Sequence, residues 1–326
     1  MIATTNNKTM TPDGNRSEIR NGNRNRFAFM FSNWYSGATL LAILLNNHCR
    51  LTCNGETFPF KVTDLEIYRC SCGKDLMSCE FYRVAGVHML DNPQFPENRN
   101  LFSILPRFSR FKPMDQWLNS LNYLPGLRDL IIRKNHGYRS RAAGFVNAHR
   151  AFFDRSCAFE GSDLYIDGTK SVRRAELFAQ YQPEPFRIVY LLRDGRGFCR
   201  SFLKNRKLDN THLALAANTW REYIQMVDRF ILRNPDIPVL MIRYEDICRN
   251  PEMILSQVTD FLEVERDPAM LTDFSREYHI LGNVMRKGFN GRVTEDLSWQ
   301  TVFSGKEIDV MTAIMRSDLV RFGYME

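Results

Sequence analysis

A chain of 326 residues with 44% hydrophobic and 12% aromatic side chains carries enough apolar surface for a sizeable core, which excludes global disorder and a small disulfide scaffold. A net charge of +7 points to an anionic partner but does not choose among a nucleotide, a nucleic acid, an acidic lipid surface and an acidic polysaccharide. Eight cysteines over this length read as reduced thiols, and no run is apolar and long enough for a signal peptide or a membrane span, so the expected location is cytoplasmic.

The first 26 residues are polar, with Arg16, Arg20, Arg24 and Arg26 among Asn and Gly, and are expected to form a disordered tail ahead of a single domain at 27–326. Residues Phe27 to Phe31 (FAFMF) read as a buried strand, Ser32 to Gly37 as a loop, and TLLAILLNNH as a buried helix. From about 58 to 157 the chain mixes aromatics, prolines and arginines without clean periodicity, as expected of an irregular insertion covering a substrate. Leu164 to Asp167 is a short strand before a helix at Ser171 to Gln180, and Phe186 to Leu192 is a strand before Arg193-Asp194-Gly195-Arg196-Gly197 and another helix. Thr211 to Arg233 has apolar residues at helical spacing, Val239 to Arg243 reads as a strand, and Pro251 to Leu262 as a helix with Pro in its first turn. Four strands alternating with helices predict an α/β fold with a central parallel sheet flanked by helices.

A strand opening into a small-residue loop and then a helix suits an oxyanion. The amides of Ser36, Gly37, Ala38 and Thr39 would face it, and the helix N-terminus adds positive potential. The loop lacks the Gly-Lys-Ser/Thr of a nucleoside triphosphatase, which argues against a magnesium-dependent ATPase.

The run Trp34-Tyr35-Ser36-Gly37-Ala38-Thr39-Leu40-Leu41 resembles the 5'-phosphosulfate loop of sulfotransferases that use 3'-phosphoadenylyl sulfate (PAPS). Arg193, with Ser201 eight positions on, is similar to that family's 3'-phosphate motif, and Arg243-Tyr244-Glu245-Asp246 is similar to its turn with a Tyr near the adenine. The run His279 to Arg286 resembles a His…Gly-Asn…Arg segment of microbial members, and Arg286-Lys287-Gly288 the stretch that clasps the 3'-phosphate. Discontinuously, the likeness covers 27–291. It implies a P-loop-like fold, PAPS as donor with 3',5'-diphosphoadenosine as product, and Tyr35, Ser36, Gly37, Ala38, Thr39, Arg193, Ser201, Tyr244, Arg286, Lys287 and Gly288 as donor-binding positions.

Sulfuryl transfer needs a base for the acceptor and a cation at the leaving oxygen, and no metal. Cys53-Asn54-Gly55-Glu56-Thr57 resembles the Cys-Gly-Glu-Glu-Thr segment of protein-tyrosine sulfotransferases, which implies Glu56 as base; Lys170 matches the family lysine that neutralises the bridging oxygen. His88, His136 and His149 are weaker alternatives as base and read rather as packing or surface histidines, and Lys204, Arg206 and Lys207 read as a solvated helix face that could also add positive potential. Two positions depart from the family: Tyr35 stands where relatives place Arg or Lys, and Ala38 where they place Thr. The first departure supports an alternative, a nucleotide-binding or interaction protein with impaired catalysis. Cys70, Cys72 and Cys79, with Cys53 as a possible fourth thiolate, leave zinc, a local disulfide and unlinked thiols open. The expected acceptor is a small molecule, biosynthetic intermediate or glycan presenting a hydroxyl or amine, no nucleic-acid partner is expected, and the oligomeric state stays open.

Overall fold

The computed structural model describes residues 25–57, 69–75, 78–85, 105–121, 123–274, 277–282, 284–287 and 289–326. Five parallel strands form one sheet among them: β1 (Arg26–Ser32), β2 (Leu51–Cys53), β3 (Leu164–Asp167), β4 (Arg187–Leu192) and β5 (Val239–Arg243), in the order β2-β3-β1-β4-β5. β1 is central, buried along nearly its whole length, because its residues are apolar on both faces. Phe27, Phe29 and Phe31 point to one layer, where they meet Phe153, Phe178, Phe186 and Phe230. Ala28 and Met30 point to the other, with Leu41, Leu45, Val258 and Leu262.

The helices follow in chain order: α1 (Ala38–Asn46), α2 (Glu80–Ala85), α3 (Lys112–Asn119), α4 (Pro125–Lys134), α5 (His136–Glu160), α6 (Val172–Tyr181), α7 (Gly195–Arg206), α8 (Leu213–Arg233), α9 (Tyr244–Arg249), α10 (Pro251–Leu262), α11 (Ala269–Thr272), α12 (Trp299–Val302) and α13 (Gly305–Arg321). The central parallel sheet flanked by helices is the architecture that the alternating strand and helix patterns predict.

Two features correct the sequence reading. The three-residue strand β2 adds a fifth strand to the four expected, its Cys53 in register with Ile166 of β3. It is too short to show a period of its own. The second correction concerns the stretch read as irregular, where residues 112–119, 125–134 and 136–160 are helical. In α5 the buried Ala142, Val146, His149, Phe153 and Cys157 recur at helical spacing, but His and Arg among them blunt the apolar signal. His149 turns Nδ1 to the Phe145 carbonyl at 2.8 Å, and His136 is exposed, so neither joins the site. Residues 1–24, which hold most of the expected tail, and His88 lie outside the described residues; Arg26 already belongs to β1.

An ionic knot, buried except at Arg233, joins α4, α6 and α8. Glu176 accepts from Arg173 at 2.8 Å, Arg128 at 3.0 Å and Arg233 at 2.7 Å, while Arg128 and Arg233 also engage Asp129 at 2.8 and 2.7 Å. Among the described residues, no helix is long and apolar enough to cross a membrane.

Candidate active site

Because all five strands run parallel, their carboxyl ends share one edge of the sheet, and the candidate segments other than residues 286–288 start there. β1 opens into residues 33–37 and α1, β2 into Asn54 to Thr57, β3 into Gly168 to Ser171, β4 into Arg193 and Asp194, and β5 into Tyr244.

In the loop after β1, Tyr35 and Gly37 take positive φ values of 59° and 86°. Gly37 is required twice, by its left-handed backbone and because a Cβ there would stand 2.4 Å from Cδ2 of Tyr244. Ser36 is fully buried, Thr39 and Ala38 nearly so, and no side chain caps the α1 N-terminus. The amides of that first turn are therefore left to an external acceptor.

Arg193 is buried against this loop. Nη1 donates to the Tyr35 carbonyl at 2.7 Å and to Ser201 Oγ at 3.0 Å, Nη2 donates to Asp296 Oδ2 at 3.0 Å, and the guanidinium lies 4.8 Å from the Tyr244 ring centroid. Gly197 makes room for it, since a Cβ there would meet Arg193 Nε at 3.1 Å. Thus the structure brings Tyr35, Arg193, Ser201 and Tyr244 together. Asp296 is an addition that sequence reasoning missed, as nothing local marks it. Burial acts to raise its carboxyl, but the Ser298 hydroxyl and amide and the Arg193 guanidinium outweigh burial and hold it below the usual carboxylate range. Beside Tyr244 a cavity of about 310 Å³ is lined by Leu40, Met285, Phe289 and Thr294, among others.

Glu56 and Lys170 are paired: the Lys170 ammonium donates to Glu56 Oε1, with the lysine side chain 5% and the glutamate 19% exposed. The meeting depends on β2 lying next to β3, which brings Gly55 and Gly168 so close that a Cβ on Gly168 would stand 2.8 Å from the Gly55 carbonyl oxygen. Lys170 has a left-handed φ of 64°, a strained conformation for a non-glycine residue. Its carbonyl accepts from the Tyr223 hydroxyl at 3.1 Å, and the same hydroxyl accepts from the Ser32 amide at 3.0 Å. One tyrosine thereby ties the lysine turn to the start of the loop after β1.

Arg286 sits in a different setting from Arg193. Its guanidinium donates to the carbonyls of Gly282 and Arg69, and Gly282 packs on Glu56. Lys287 follows on an exposed turn, and Gly288 lies outside the described residues. Arg206 is exposed on α7, as the sequence reading has it, and its guanidinium lies 5.4 Å from the Trp34 ring centroid and 4.6 Å from that of Phe202. That places a cation beside the loop that holds Tyr35. Cys53 is buried in β2 and apart from Cys70, Cys72 and Cys79, which gather instead around His279.

Solved structures resembling this one include a sulfotransferase domain from the curacin biosynthetic pathway, at 17% identity, TM-score 0.48 and coverage of 90% of this chain and 98% of that chain. A sulfotransferase domain from the Synechococcus PCC 7002 olefin synthase aligns at 19% identity and TM-score 0.43 over 94% and 98%, and a sulfotransferase from Mycobacterium avium at 10% and 0.41 over 92% and 77%. No curated protein matches the sequence. The sequence model described as "Sulfotransferase family" matches residues 28–268, from β1 through the loop after α10, and thus takes in the loop after β1, Glu56, Lys170, Arg193 and Tyr244. With most of its length and its carboxyl-edge site inside that match, this chain belongs to the sulfotransferase family.

Proposed function

We propose that the protein transfers a sulfuryl group from PAPS to a hydroxyl or amine of a small molecule, a biosynthetic intermediate or a glycan. The observation that carries this reading is the Glu56–Lys170 pair, an acid and a base tied through Tyr223 to an uncapped phosphate loop. The residues present fit the donor. The α1 amides suit a phosphosulfate, Arg193 and Ser201 suit a second phosphate one ribose away, and the cavity beside Tyr244 suits an adenine.

When bound, PAPS supplies an activated sulfuryl group. Glu56 takes the proton of the acceptor as its oxygen or nitrogen attacks, and Lys170 offers its ammonium to negative charge developing on the leaving side. Their mutual ion pair has to open for this, leaving both groups partly desolvated and already within reach of one another. Arg206 over Trp34 supplies positive potential near the loop that Tyr35 no longer provides.

Calorimetric titration with 3',5'-diphosphoadenosine, with ADP as control, tests the donor site; labelled PAPS with an acceptor panel tests transfer. Selective binding of the diphosphate, lost in Arg193→Ala, supports the reading. Absence of binding to folded protein overturns it. Tyr35 favours one alternative, a nucleotide-binding protein with impaired transfer, and tight binding without turnover on any acceptor decides for that.

A further inference from the structure

We propose that Cys70, Cys72, Cys79 and His279 form a structural Zn²⁺ site, remote in sequence but closed in space. The four ligand atoms lie within 4.8 Å of one another. His279 Nδ1 is 3.4 Å from both Cys70 Sγ and Cys79 Sγ, and Cys72 Sγ is 3.7 Å from Cys79 Sγ. Zinc bonds of about 2.3 Å to sulfur and about 2.0 Å to nitrogen, arranged tetrahedrally, require sulfur–sulfur separations of about 3.8 Å and sulfur–nitrogen separations of about 3.5 Å. The spacing is that of a zinc site rather than of a disulfide, whose sulfurs lie about 2.05 Å apart.

The surroundings hold each donor in place. Phe81 stacks on the His279 ring at 4.9 Å and 9°, Phe159 meets it edge-on at 5.8 Å, and the Tyr82 hydroxyl donates to the His279 carbonyl at 2.6 Å. These contacts fix the ring with Nδ1 toward the sulfurs. Residues 70–74 form a tight turn, with Gly73 N donating to the Cys70 carbonyl and Cys70 N to the Lys74 carbonyl, both at 2.9 Å. The amides of Cys72, Lys74 and Tyr82 hydrogen-bond the sulfurs of Cys70, Cys72 and Cys79, which disperses thiolate charge. Cys70 and Cys79 are fully buried.

Zinc binding displaces three thiol protons to solvent and leaves the imidazole neutral, and four protein ligands leave no position for a substrate. The site is therefore a clasp. It fastens residues 70–75 and 78–79 to residues 277–282, where Leu281 bridges to Gly55 and accepts from the Glu56 amide at 3.2 Å. On the reading proposed above, zinc braces the wall that carries the base, while sulfuryl transfer itself still uses no metal.

Metal analysis of the full chain, produced with zinc and purified without chelators, is expected to give about one zinc per chain. His279→Ala and Cys72→Ser should bring it to background, while Cys53→Ser retains it. Cobalt exchange into the wild-type protein gives a readout independent of mutant folding: intense visible d–d bands of tetrahedral Co²⁺ and thiolate-to-cobalt charge transfer in the near ultraviolet. A zinc-free, folded protein, an octahedral cobalt spectrum, or an intact mass two hydrogens light from a Cys72–Cys79 disulfide would each overturn the site. None of these outcomes depends on whether the protein uses PAPS.

Discussion

Arg193 reaches the Asp296 carboxylate with Nη2 while Nη1 holds the Tyr35 carbonyl and Ser201, so one guanidinium joins the loop after β1, α7 and the segment before α12. A phosphate bound by Arg193 has to share this guanidinium with the carboxylate. Asp296 is 44% exposed in its side chain, which limits the pair to about 0–1 kcal/mol. Asp296→Asn is therefore expected to tighten 3',5'-diphosphoadenosine binding by up to about fivefold, read by calorimetry. Weaker binding would assign Asp296 to positioning the arginine instead.

Arg193→Ala removes the fork altogether. Loss of a charge-assisted hydrogen bond of about 1.5–3 kcal/mol predicts a drop in diphosphate affinity of about 10- to 100-fold, with little change for ADP. Equal losses for both nucleotides would show that Arg193 does not read the 3'-phosphate.

Glu56→Gln keeps the shape of the site and removes the base. Transfer is expected to fall by about 10²–10⁴-fold with donor affinity nearly unchanged. Lys170→Met is expected to cost about 10²–10³-fold in kcat. Single-turnover kinetics with labelled donor measure both, and unaltered rates in Glu56→Gln would move the base elsewhere.

Glu176 is the acceptor on which three arginines of the ionic knot converge, and it is almost wholly buried. Glu176→Ala leaves Arg128 and Arg173 buried with only Asp129 to answer them. The expected loss is about 3–5 kcal/mol, seen as a lower urea midpoint. A loss within about 0.5 kcal/mol would mean that the knot is as accessible to water as an ordinary surface pair.

Burial pushes the Glu245 carboxyl above its ordinary 4.5, against the lowering effect of the Asp194 amide that donates to it at 3.0 Å. Between 4.5 and the higher folded value, the native protein keeps a proton that the unfolded chain has released, so stability falls as pH rises through that window. Glu245→Gln should flatten this dependence in thermal melts taken at a series of acidic pH values. An unchanged slope would assign it to other carboxyls.

The sequence by itself determined the layered α/β architecture and the loops that leave the carboxyl ends of β1 and β4. β1 and β4 are continuous apolar runs that can only be buried on both faces, and the loops after them carry their chemistry within a few residues. Arg193 and Ser201 are eight positions apart across one strand end and one helix, so their meeting is a local matter. What the tertiary structure decided is every pairing between remote segments. Glu56 and Lys170 are 114 positions apart and meet because β2, a strand with no periodic signal, lies beside β3. Arg193 and Asp296 are 103 apart, and Cys70 and His279 209 apart. Local pattern specifies whether a segment becomes strand or helix, since burial and backbone preference act over a few residues. Which side chains then face one another depends on strand order and loop return, and these are set by the packing of the whole sheet.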